Sequence, residues 1–235
     1  MTEILYQHGT LALLVPGLLT GTISMQSLLQ HGDTGIGTGE GLDGELIILD
    51  GQPYQINGQG QIQTVAKTFT MPFADIHWAH YQPLGTLQNL TSTQLYQHLT
   101  HQIQAPNVFY SVKIQGQFQQ LETRSVNRSE PPYATLTQAA QAQHVFQASQ
   151  ATGTLLSYYA PQLFHGAAVA GYHSHFLAAD HSIGGHVLDF SLVSGQVEFQ
   201  IFDTLQQHFP IDNSDYMQHD FAADELDHAI RKAES

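Results

Sequence analysis

Cysteine is absent from this 235-residue chain. Disulfides, thiolate nucleophiles and thiolate metal centres are thereby excluded, and any bound metal has to be held by nitrogen and oxygen. Imidazole-bound zinc, iron, manganese or copper all remain open. Basic residues are scarce: 6 Lys and Arg against 20 Asp and Glu leave a formal charge of −14. Phosphate backbones and anionic membrane surfaces repel such a chain, which argues against nucleic acid and membrane partners. Long apolar runs are missing as well. The run Leu11-Ala12-Leu13-Leu14-Val15 is too short to span a bilayer, and Glu3 stands where a signal peptide needs a basic start. Cytoplasmic location is the resulting expectation.

Hydrophobic residues make up 42% of the chain, enough to bury a core in one large domain or two small ones. Between Thr10 and Leu29 the apolar pattern, broken at Pro16-Gly17 and Gly21, predicts short helices, followed by a glycine-rich connection from Gly32 to Gly44. Gly44 to Ile56 reads as a hairpin turning at Asp50-Gly51, a pair that favours the type I′ turn. Strands are expected at Phe69 to Pro72 and Val108 to Phe118. A helix from about Thr93 to Gln104 lies between them, because Leu95, Leu99 and Ile103 recur at helical spacing. After Pro131-Pro132 the pattern predicts a helix near Leu136 to Ala148, then strands at Gly153 to Ser157, Ala167 to Leu177, His186 to Val193 and Gln196 to Phe202. A terminal amphipathic helix follows from about Asp215 to Ala233, carrying Phe221, Leu226 and Ile230. The expected fold is α+β: a mixed-sheet region with helices over residues 1–130, packed against an antiparallel region over 131–235, with the active site between them.

The stretch "GYHSHFLAADHSIGGHVLDF", Gly171 to Phe190, raises the chemical question. Side chains alternate along a strand, so His173 and His175 share a face, and a reversal through Ala178 to Gly185 brings His186 back beside them. Three neutral imidazoles from paired strands, with no fourth protein ligand nearby, are the donor set of a catalytic zinc site that keeps a position for water or substrate. The pairs His77 with His80 and His98 with His101 lie in polar surroundings and read as solvated surface residues. Glycines 35, 37, 39 and 41 lack the Lys-Ser/Thr of a phosphate loop and read as turns that place Thr38 and Glu45.

Several blocks resemble the α-acetolactate decarboxylase family, from about Leu5 to Glu234. They are "HGDTGIGTGEGLDGELIILDG" at 31–51, "VFYSVKIQGQF" at 108–118, "TRSV" followed by "PPY", and, most specifically, the histidine hairpin. The resemblance implies that His173, His175 and His186 hold zinc. It places family glutamates at Glu45 and, close to the C-terminus, at Glu234, with Glu225 as substitute. The family arginine falls on Arg124 rather than Arg128; without the resemblance, Arg124 would read as a surface ion pair with Glu122 or Glu130. It further implies a homodimer and the conversion of 2-acetolactate to acetoin and carbon dioxide through a zinc-stabilised enediolate. Arg124 would grip the carboxylate or enediolate oxygens, and Glu45 or Glu234 would deliver the proton. Three rivals share the histidine pattern: a zinc-hydroxide hydratase, a cupin-type oxygenase and a non-enzymatic metal-binding sheet protein. The second is weakened by the lack of glutamate between Phe176 and Gly185, and the third predicts a closed four-ligand shell.

Overall fold

The computed structural model describes residues 2–226 together with 229 and 230. In chain order the strands are β1 (Ile4–His8), β2 (Ile23–Ser24), β3 (Thr34–Thr38), β4 (Glu45–Leu49), β5 (Gln52–Ile56), β6 (Ile62–Thr64), β7 (Thr70–Met71), β8 (Phe73–His77), β9 (Gln82–Thr91), β10 (Tyr110–Ser125), β11 (His144–Ala160), β12 (Gly171–Ala178), β13 (Gly184–Ile201) and β14 (Thr204–His208). The helices are α1 (Leu11–Leu14), α2 (Met25–Leu28), α3 (Ser92–Ile103), α4 (Leu136–Gln141) and α5 (Ser214–Gln218). The α+β expectation holds.

A seven-stranded sheet runs β14-β1-β8-β3-β4-β5-β6 and a five-stranded sheet runs β10-β11-β12-β13-β9; β2 and β7 form a small ribbon. The larger sheet is mixed, since β1 lies parallel to β14 and antiparallel to β8. In the smaller sheet β13 pairs with β12 and also with β10, so β10, β11, β12 and β13 close on one another. Leu5, Ile36, Ile47 and Ile56 of the first sheet pack against Leu156, Tyr158 and Leu177 of the second, and this apolar layer joins the two. The sheets do not divide the chain at residue 130. Strands β9 and β10 belong with the later ones, whereas β14 returns to complete the first sheet.

Local chemistry accounts for the elements that the sequence announced. Asp50 (φ 52°) and Gly51 (φ 75°) supply the two positive φ angles that a type I′ turn requires between β4 and β5. Helix α3 starts at a capping box, with Thr91 accepting from the Gln94 backbone and Gln94 reaching back. It buries Leu95, Leu99 and Ile103 and stops at Gln104 in the left-handed region.

Elsewhere tertiary pairing overrides local preference. The helix expected to Ala148 ends at Gln141, because from His144 onward the chain is laddered to β10, Ser125 facing His144 and Arg124 facing Val145. The two strands expected at 186–193 and 196–202 are one, β13; the break expected before Gln196 is where Gly195 faces Gly116, and the two glycines let the strands approach closely. Strand β9 has no alternating signal, its partly buried Leu84, Leu87 and Leu90 falling on every third residue across Gly85 (φ 122°). Gly35 and Gly37 are not turns but the interior of β3, close under the Asp75 and Phe73 carbonyls of β8. The terminal helix is interrupted: α5 ends at Gln218, and Asp220 then caps a separate turn at Phe221–Ala223. Phe221, Leu226, Ala229 and Ile230 still pack with Leu11, Leu14, Leu136 and Ala139.

Candidate metal centre and cleft

The β12–β13 hairpin brings the three histidines together. His175 directly faces His186 in the ladder, and His173 lies two residues before His175 on the same face. One ring nitrogen from each of the three lies within 4.8 Å of the others, a grouping able to hold a metal ion. His173 Nε2 and His186 Nδ1 are 3.0 Å apart. The approach of β13 to β10 depends on Gly185, which faces Phe176 in the ladder: its φ of +124° suits glycine, and a Cβ there would stand 2.5 Å from the Arg124 carbonyl oxygen.

The second contribution comes from the other sheet. His175 Nδ1 lies 2.7 Å from the carbonyl oxygen of Leu46 in β4, so this nitrogen carries the proton and donates. Its Nε2 is buried without a hydrogen-bond partner and lies 3.3 Å from Glu45 Oε2. That distance would be an ion pair if the ring were protonated, but burial above all, with the repulsion that a protonated His173 would add and the Arg124 guanidinium, holds its pKa well below the ordinary value. A neutral ring therefore turns its lone pair towards a carboxylate oxygen, which suits a cation between them. Burial, and next the Arg124 guanidinium, likewise push His173 down to about 3 and His186 well below the usual range. All three rings are thus kept in the form that ligates. The residues fit a divalent metal.

Arg124 stands beside this cluster because β10 pairs with β13, Arg124 facing His186. It is 5% exposed, and its Nη1 donates to Gln143 Oε1 at 3.1 Å. Arg128 points elsewhere, pairing at the surface with Glu130 at 3.1 Å and Glu40 at 3.5 Å. Glu122 accepts from Gln147 rather than from Arg124. A cleft open to solvent lies above. Thr38, Glu45, Arg124, His173 and His186 line it together with the apolar Leu11, Leu14, Leu136, Ala139 and Ala140.

Of the residues singled out in the sequence, His173, His175, His186, Glu45 and Arg124 come together here. Glu234 lies outside the described residues, and Glu225 closes the turn to the Ala229 amide through its backbone carbonyl. His77 corrects an expectation. It is fully buried, its Nδ1 2.7 Å from Tyr158 Oη, because its strand lies between β1 and β3. The Leu46 carbonyl, Gln143 and the apolar residues of α1 and α4 had no signal in the sequence, since each reaches the site only through tertiary packing.

Three imidazoles, a carboxylate and a buried guanidinium around a half-apolar cleft define a class: a β-rich protein with a metal-ready centre suited to a small anionic organic molecule. The particular family follows from comparison. Residues 5–223 match the family described as Alpha-acetolactate decarboxylase, to which the chain belongs. The alpha-acetolactate decarboxylase of Lactococcus lactis subsp. lactis is 36% identical over all of both chains. That of Raoultella terrigena is 36% identical over 99% of this chain and 90% of the relative. The crystal structure of alpha-acetolactate decarboxylase from Bacillus subtilis strain 168 superposes with a TM-score of 0.93 at 28% identity, covering 99% of each chain. A Staphylococcus aureus protein of unknown function, similar to alpha-acetolactate decarboxylase, reaches 0.94 at 36% identity, covering 98% of this chain and 99% of that one.

Proposed function

We propose that this protein decarboxylates 2-acetolactate to acetoin and carbon dioxide, using zinc held by His173, His175 and His186. The observation that carries the reading is the clustering of these rings beside a cleft that His173, His186, Glu45 and Arg124 line, in a member of this family. When bound, zinc supplies a Lewis acid for the hydroxyl and ketone oxygens of the substrate.

The chain's own residues do the rest. Arg124 offers a planar, permanently charged fork to the substrate carboxylate or to the oxygens on which charge develops. The wall of Leu11, Leu14, Leu136, Ala139 and Ala140 receives the methyl groups and keeps water from the reacting carbons. Breaking the bond to the carboxylate releases carbon dioxide and leaves its electron pair conjugated with the neighbouring carbonyl, an enediolate. Glu45, at the cleft floor, or Glu234 delivers one proton to carbon, and that proton is replaced from solvent. One proton is therefore consumed per turnover.

The reading extends to a homodimer in the cytoplasm with no nucleic acid or membrane partner. The charge of −14 supports the last part, since it repels phosphate backbones and anionic membrane surfaces. The division into a region over 1–130 and one over 131–235 that carries the metal-binding hairpin stays as part of this proposal. The test is incubation of the purified protein with racemic acetolactate, following acetoin and carbon dioxide together before and after chelation and after zinc is restored. Equal amounts of both products, lost on chelation and regained with zinc, are expected. Zinc-loaded protein that forms neither would overturn the assignment.

A further inference from the structure

Helices α1 and α4 both contribute to the apolar lining of the cleft, but with side chains of different size. From α1 come Leu11 and Leu14; from α4 come Leu136, Ala139 and Ala140. The three residues of α4 stand three and four apart, so they share one face of the helix, and that face is turned to the cleft. Leu136 and Ala139 are buried within the apolar cluster that also holds Leu11 and Leu14, whereas Ala140 is only partly buried against it. Where α1 presents leucines, α4 thus presents methyl groups. Ala142, two residues further on, is exposed and takes no part in the lining.

The helix is held at its start, so it cannot recede from a larger side chain. Thr135 and Gln138 form a capping box, the Leu136 amide donates to the Val15 carbonyl at 3.2 Å, and the Ala134 amide donates to Ser129 Oγ at 2.8 Å. Gly17 approaches the same segment so closely that a Cβ there would stand 2.9 Å from the Ala134 carbonyl oxygen. Volume added at position 140 therefore goes into the cleft. The carboxylate, hydroxyl and ketone oxygens of a 2-hydroxy-3-oxo acid need the polar lining, which leaves its alkyl groups to the apolar residues.

We propose that Ala140 is a specificity-determining residue: the room left by its methyl side chain sets how large an alkyl group the bound 2-hydroxy-3-oxo acid can carry. For the compound that is turned over, this rests on the decarboxylase reading above. For the compound that is bound, it rests on the cleft alone. Two substrates test it, 2-acetolactate and its homologue with ethyl in place of the methyl on the hydroxyl-bearing carbon. Ala140→Leu should lower the ethyl-to-methyl ratio of kcat/KM about 10- to 200-fold, the range over which a pocket discriminates by a methylene. Ala140→Gly should raise that ratio, and Ala142→Leu should leave it unchanged, all with normal zinc content. Calorimetry on the zinc-loaded proteins with 2-hydroxy-2-methylpropanoate and 2-hydroxy-2-methylbutanoate, which lack the ketone that would take up the electron pair, should show affinities that shift in the same sense.

A kcat/KM ratio that stays constant across Ala140→Gly, the unmodified enzyme and Ala140→Leu would overturn the role of Ala140 and leave decarboxylation standing. Affinities that shift as expected, with no carbon dioxide released from either substrate, would overturn the decarboxylase reading and leave Ala140 as the determinant of ligand size. Constant affinities with no turnover would overturn both.

Discussion

Replacing Gly185 with alanine puts one methyl group where the centre is tightest. Gly185 has a φ of +124°, and its added Cβ would lie 2.5 Å from the Arg124 carbonyl oxygen and 3.3 Å from the carbonyl carbon. The backbone strain costs about 1–3 kcal/mol. Forcing a methyl against a carbonyl that is held in a ladder costs about 1–3 kcal/mol more. Together these take about 2–6 kcal/mol from a stability of about 5–15 kcal/mol. For a chain of this length each kcal/mol moves the melting temperature by about 2–4 °C, so a fall of roughly 4 to 24 °C is expected. The clash also pushes β10 from β13 where Arg124 faces His186. Zinc content and kcat/KM should therefore fall with stability. Gly51→Ala is the control: Gly51 also has a positive φ (75°), but a Cβ there meets nothing within 4 Å and the turn is remote from the cleft. It should lower the melting temperature by a few degrees and leave zinc content and turnover unchanged. Thermal unfolding by circular dichroism, with metal analysis of the same samples, reads both effects. If Gly185→Ala melts with the unmodified protein and carries its normal zinc, the argument from close approach is refuted.

Arg124→Lys should lower turnover about 100- to 1,000-fold with metal content near normal, while Arg128→Lys, at the surface, costs little; the reverse pattern in steady-state rates would mean that the wrong arginine was chosen. His175→Ala should lose the bound ion by elemental analysis, and full occupancy would remove that ring from the ligand set. The metal-free protein should weaken as pH falls below about 6.5, because burial holds His8 at about 4 and His77 at about 3, so only the unfolded chain takes up those protons. Each contributes about 1.4 kcal/mol per pH unit down to its folded value, and denaturant titrations that are flat from pH 7 to 5 would contradict this. Asp75 has the opposite sign: burial raises it to about 7, the folded form binds the extra proton below that pH, and Asp75→Asn should therefore make the acid loss steeper.

The hairpin was legible because its information is local. Alternation sets His173 and His175 on one face, and the polar run after Ala178 marks the reversal that returns His186, with Gly184 and Gly185 already in the ladder. Leu95, Leu99 and Ile103 announced α3 for the same reason, their helical spacing being a local property. What the sequence could not carry is pairing at a distance. His77 sits in a polar stretch, yet two neighbouring strands bury it; His144 to Ala148 looks helical, yet β10 claims it as strand. The Leu46 carbonyl is invisible in principle, since every residue has one and only the meeting of the sheets selects this one. Arg124 was separated from Arg128 by family resemblance rather than by any property of the two residues, and the geometry places Arg124 in the cleft.

The interleaving of the two sheets bears on how the protein comes into being. Glu45 and Leu46 come from β4, Arg124 from β10 and the imidazoles from β12 and β13, while β1, near the start of the chain, acquires its second neighbour only from β14 at Thr204–His208. During synthesis the early strands wait with an uncovered apolar face until the later sheet arrives, and the centre cannot form before residue 186 has emerged. Pairings of such long sequence separation make folding slow, and they leave the half-made chain dependent on protection from aggregation. An expression strategy that slows synthesis or lowers temperature should raise the yield of active protein more than one that raises transcription.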